Sequence, residues 1–70
     1  MQIIINGEKK IINDKIPLAE LIKELGIDPN RVAVELNMSI IDKSDYLNTI
    51  LKDNDSLEIV SFIGGGEIGR

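Results

Sequence analysis

The sequence predicts an α+β domain in which one amphipathic helix packs across a mixed sheet of four or five strands. Three observations predict it. A β-branched run followed by Asn6-Gly7 marks a hairpin, PLAELIKELG carries an apolar stripe at helical spacing, and VAVELN and LEIVSFI alternate as strands. One helix cannot bury its stripe alone, so the sheet must supply the opposing layer.

The elements follow in order. Met1 to Ile5 forms the first strand, Asn6-Gly7 the turn and Lys9 to Asn13 the second strand. Two registers are open. A two-residue loop sets Ile3 opposite Lys10, and an odd-numbered loop sets Ile11 on the Ile3 face. The odd loop is favoured because it keeps Lys10 from turning inward. Pro17 suits a first helical turn and Gly26 a C-terminal cap, with Leu18, Leu21, Ile22 and Leu25 on one face between them. Asp28-Pro29-Asn30 is a turn, Val32 to Asn37 a half-buried strand and Ser39-Ile40-Ile41 a short partner strand. Asp42 to Lys52 reads as an irregular crossover with about one helical turn. Asp53-Asn54-Asp55 turns into a final strand from Leu57 to Ile63. A long connection between first and last strands favours placing them side by side and parallel. This is the β-grasp, or ubiquitin-like, architecture. Residues 1–63 then make a single domain, and 64–70 a flexible glycine-rich tail.

Composition narrows the function. The 70 residues leave no room for a second core. With no cysteine and no histidine, the chain lacks disulfides, thiolate ligands and the usual neutral-pH base. Ser39, Ser44, Ser56 and Ser61 therefore have no histidine to activate them, and an enzyme acting alone is not expected. A net charge of −4 and only two aromatic residues, Tyr46 and Phe62, argue against nucleic acid. No apolar run approaches a bilayer span of ~20 residues, and the N-terminus lacks the charge order of a signal peptide, so a cytoplasmic protein without a membrane partner is expected. Asp53-x-Asp55 lacks the glycine and distant glutamate of a calcium loop, and a β-turn accounts for it. No metal and no cofactor of its own are expected.

The closing SFIGGGEIGR matches G-x-G-x-x-G through Gly64, Gly66 and Gly69. A dinucleotide loop must lead into a helix, and Arg70 alone follows Gly69, so the match is accidental. Gly64-Gly65-Gly66 instead suits a narrow channel, because a segment without Cβ atoms can carry a terminal carboxylate into another protein's active site. A frayed terminus is the plain alternative. Strand parity adds a second feature. With Leu57 and Ile59 inward, Val60 and Phe62 point outward, as does Ile4, and these three form an apolar docking stripe unless a loop or the crossover covers them.

The ordered segments MQIIINGE, LAELIKELG, VAVELN and LEIVSFIGGG together resemble ThiS, the sulfur carrier family of thiamine biosynthesis, from Met1 to Gly66. The related MoaD carriers of molybdopterin synthesis share the fold and the terminal Gly-Gly but resemble the VAVELN region less. The resemblance implies a carrier, not an enzyme. An E1-like adenylyltransferase (ThiF in that family) would spend ATP with Mg²⁺ to adenylate Gly66. A persulfide supplied through a cysteine desulfurase would convert it to a thiocarboxylate, and thiazole synthase, ThiG, would receive the sulfur. Gly65-Gly66 match the family's terminal pair, and Phe62 its final-strand contact. Asp53-Asn54-Asp55 stands where Asp-Gly-Asp is more familiar, a small change since Asn tolerates similar backbone angles. Glu67-Ile68-Gly69-Arg70 is the larger departure, because it makes Gly66 an internal amide and calls for a processing protease. A carrier for molybdopterin or another thiolated product, and a non-catalytic β-grasp binding module, are the alternatives.

Overall fold

The computed structural model describes residues 1–61. Five strands form one mixed sheet: β1 (Gln2–Ile5), β2 (Glu8–Ile11), β3 (Val32–Leu36), β4 (Ser39–Ile41) and β5 (Ser56–Ser61), in the order β2-β1-β5-β3-β4. The last strand is central. It runs parallel to β1 and antiparallel to β3, as a connection long enough to cross over permits. The one α-helix among the described residues, α1 (Leu18–Glu24), covers one face, and the β-grasp architecture is present with five strands.

The core is aliphatic. Ile3 and Ile5 of β1, Val32 and Val34 of β3, and Leu57 and Ile59 of β5 meet Leu18, Ala19, Leu21 and Ile22 of α1. Tyr46 and Leu51 of the crossover close it, consistent with an irregular segment that holds one turn of 3₁₀ helix at Lys43–Asp45. The helical stripe differs from expectation at one end. Leu25 is 39% exposed and Ala19 is buried, because α1 ends at Glu24 and Leu25 belongs to the cap. Gly26 at φ +77° and Ile27 donate to the carbonyls of Lys23 and Ile22, which is the Schellman arrangement.

The other end of α1 has no side-chain cap. Its first amides are satisfied by the crossover instead. Leu18 N–H donates to Thr49 O at 2.8 Å and Ala19 N–H to Tyr46 O at 3.0 Å.

The hairpin register corrects the expectation of an odd loop. Asn6 and Gly7 lie at φ 50° and 84°, a two-residue turn of the primed kind, and Ile3 stands opposite Lys10. Lys10 is not buried by this register, because β2 is an edge strand beyond the reach of the seven-residue helix and all four of its residues are exposed. Ile11 lies opposite Gln2 on the outer side, 79% exposed.

Asp53-Asn54-Asp55 is a turn whose carboxylates serve the backbone. Asp53 Oδ1 accepts from Gln2 N–H at 2.8 Å. Asp55, 9% exposed, accepts from Lys52 N–H at 2.8 Å and from the Asn37 carboxamide at 3.0 Å. Among the described residues no group of three or more acidic side chains converges as a metal site. No helix there is long and apolar enough to cross a membrane.

Candidate docking site and C-terminal exit

Period-two alternation divides β5 cleanly: Leu57 and Ile59 are buried, while Ser56, Glu58 and Val60 face away from the helix. The strand ends its described course at Ser61, opposite Val32, at the centre of the sheet. The described chain therefore stops on the middle strand. Phe62, Gly64, Gly65 and Gly66, the tail 64–70 as a whole and the extension Glu67 to Arg70 lie outside the described residues.

Val60, 58% exposed, and the half-buried Ile4 occupy the same outer face, but they are not neighbours. Ile4 stands opposite Ser56, four positions before Val60, which places it about 13 Å away along the sheet at ~3.3 Å per residue. The polar Ser56 and Glu58 intervene on β5.

The residues that gather round Val60 come from the other side of β5. Ala33 lies directly opposite Val60, and Glu35 opposite both Glu58 and Ile40. Ala33, Glu35, Ile40, Glu58 and Val60 line a shallow groove of about 190 Å³, with Ile40 76% exposed. Alternation within VAVELN already turns Ala33 and Glu35 outward. What the alternation does not contain is the strand order that sets them beside Val60, and Ile40 lies on a three-residue strand too short to show a period.

Glu35 and Glu58 form a like-charged pair across adjacent strands, an arrangement that costs stability. Among the described residues no Lys or Arg bridges either carboxylate. The site is thus an apolar patch with an acidic margin, beside the exit of the C-terminal segment.

Asn6 adds a second feature at this exit. Its carboxamide meets the backbone of β5, with Oδ1 accepting from Ile59 N–H at 2.7 Å and Nδ2 donating to Ile59 O at 3.2 Å. Sequence reasoning assigns Asn6 to the turn alone.

Comparison with known proteins agrees with this geometry. The model of the ThiS family matches residues 3–66. A thiazole synthase of Paramagnetospirillum magneticum is 46% identical over 66 residues, and the chain spans 94% of its own length but 20% of that protein. The uncharacterized protein ycf40 of Pyropia yezoensis is 38% identical over 66 residues and is covered to 93%. Among solved structures, the thiamine biosynthesis protein ThiS of Geobacter metallireducens superposes with a TM-score of 0.82 at 29% identity, over 94% of this chain and all of that one. The sheet, the single helix and a match running through Gly66 point the same way, and the chain belongs to the ThiS family.

Proposed function

We propose that this ThiS-family chain, a small sulfur carrier of thiamine biosynthesis, works by presenting the carboxylate of Gly66 to partner enzymes. The observation that carries the reading is the family match, which runs the length of the fold and ends at Gly66, five residues beyond the last described residue of the central strand. At ~3.3–3.6 Å per residue, five extended residues reach about 17 Å, enough to enter a partner's active site while the domain stays outside.

Gly66 is followed by Glu67, so its carbonyl is an amide until water cleaves that bond. A processing protease supplies this step. The freed carboxylate then attacks the α-phosphorus of ATP, held with Mg²⁺ by an E1-like adenylyltransferase, and pyrophosphate leaves. A persulfide derived from a cysteine desulfurase attacks the acyl carbon and expels AMP. A thiol cleaves the resulting disulfide and leaves the thiocarboxylate on Gly66. The chain itself is not an enzyme in this sequence. It supplies an address and a movable acyl group.

Two observations support the choice of partners. The outer face carries Val60 one residue before the end of the described strand, with Ile4 farther along the sheet, and we assign docking of the activating enzyme to this face together with Phe62, which lies outside the described residues. The match to one fifth of a protein named thiazole synthase supports a ThiG-like acceptor.

The test is ATP–pyrophosphate exchange with an E1-like enzyme. A chain ending at Gly66 retains every described element and is expected to support exchange, whereas the 70-residue chain is not. The mass of the product, after sulfur transfer, is expected to show one oxygen replaced by sulfur. Equal exchange by both chains would rule out processing, and exchange by neither would leave a passive binding module as the better reading.

A further inference from the structure

We infer that Asn6 is a positioning residue, a splint that fixes the point from which the C-terminal segment leaves the sheet. The inference rests on the carrier reading above. The parallel pairing of β1 with β5 stops at Ile5 opposite Leu57, because the chain turns away at Asn6-Gly7. Central strand β5 nevertheless continues to Ser61. Without a substitute partner, its last residues would hang on β3 alone.

Asn6 is that partner. Its own N–H donates to Leu57 O at 2.8 Å, and its carboxamide then takes both backbone groups of Ile59. One residue thus holds three successive backbone groups on the β1 side of β5, much as a continuing strand would. Ser61, next in the period, is the first residue on that side past the splint. The turn does not require this side chain. Its first position at φ 50° accepts Asn, Asp or Gly alike, so the carboxamide is in excess of what the turn needs. Fixing β5 at Ile59 anchors the chain seven positions before Gly66, and so narrows the volume over which its carboxylate is spread.

The experiment compares Asn6→Gly and Asn6→Asp in the chain ending at Gly66. Asn6→Gly keeps the turn and removes the splint. Amide exchange at Ile59 is expected to quicken at least about tenfold, while the Leu25 amide, held by Leu21 O at the C-cap of the helix, keeps its rate. In ATP–pyrophosphate exchange, kcat is expected to fall roughly tenfold with KM unchanged, because docking survives and placement suffers. Asn6→Asp can still accept from Ile59 N–H but cannot donate to its carbonyl, and is expected to fall between the two. Unchanged kcat and KM in Asn6→Gly, or a rise in KM alone, would overturn the proposal and leave the carrier reading standing. Failure of the unsubstituted chain to support exchange would instead overturn the carrier reading, and the proposal with it. If Asn6→Gly also quickens exchange at Leu25, the same kcat–KM division in Asn6→Asp decides.

Discussion

The two faces of the sheet are made by alternate residues of the same strands, yet they obey different demands. On the helix side, Ile3, Val34 and Leu57 are all but excluded from solvent, and each fills space against Leu18, Leu21 or Ile22 and their neighbours. On the open side, one residue along each strand, Ala33, Glu35, Glu58 and Val60 remain accessible, and two carboxylates face one another without a bridging cation among the described residues. The first arrangement is what packing selects. The second is not, since like charges directly opposite destabilise a sheet. A face that carries apolar groups and a like-charged pair without a bridging cation among the described residues is what the docking proposed above requires.

Substitutions can break this contrast, beginning with the largest effect. Leu57→Ala is expected to cost about 2–5 kcal/mol by leaving a cavity at the centre of the sheet. For a 70-residue chain, whose whole stability is about 4–10 kcal/mol at ~0.05–0.15 kcal/mol per residue, that loss leaves much of the population unfolded in urea titrations at concentrations the parent withstands.

Tyr46→Phe probes the covered side more gently. The buried hydroxyl donates to Val32 O at 3.3 Å, and its removal is expected to cost about 1 kcal/mol near neutral pH. Burial, then the charge of Asp42, raise the Tyr46 pKa above its ordinary value. The neutral phenol is therefore favoured in the folded state. Its contribution is fully present below the ordinary tyrosine pKa of about 10 and is lost as pH rises through the elevated folded value. Thermal melts from pH 8 to 11 are expected to show a fall in stability at the alkaline end that is shallower in Tyr46→Phe.

The open face responds in the opposite sense. Glu58→Lys replaces a repulsive cross-strand pair with an attractive one, and is expected to raise stability by roughly 0.2–1 kcal/mol, read from the urea midpoint. A loss of stability would show that the Glu35–Glu58 pair serves the fold after all. Val60→Ala is expected to move stability least, within about 0.5 kcal/mol, while weakening binding of the chain ending at Gly66 to an E1-like enzyme in titration calorimetry. A variant that unfolds, or one that binds unchanged, would place Val60 outside the docking surface.

The hairpin shows why one part of the fold is readable and another is not. Asn6-Gly7 announces its own turn, because few residue pairs accept two positive φ values. Whether Lys10 then faces a covered or an open surface depends on how far α1 reaches, and that is a property of the assembled layers. Lys10 would be buried only under a helix that covered every strand, whereas β2 lies at the sheet edge and is exposed throughout. The candidate site divides in the same way. Alternation alone turns Val60 and Ile4 outward, but their separation along the sheet follows from the β1–β5 register, and the closeness of Val60 to Ala33 follows from β5 lying beside β3.

By itself the sequence determined the elements, the single helix on a mixed sheet, the parallel central pair, and where the glycines fall. These rest on local periodicity and turn chemistry, which are carried by residues near one another in the chain. Only the tertiary structure decided the rest: the hairpin register, the capping of α1 by carbonyls of Tyr46 and Thr49, the acidic pair beside Val60, and the grip of Asn6 on Ile59. Apart from the register, which depends on how far α1 covers the sheet, each joins groups that are close in space and remote in sequence, up to 53 positions apart for Asn6 and Ile59. Such contacts are specified by which strand lies beside which, and that order is fixed by burying one common core.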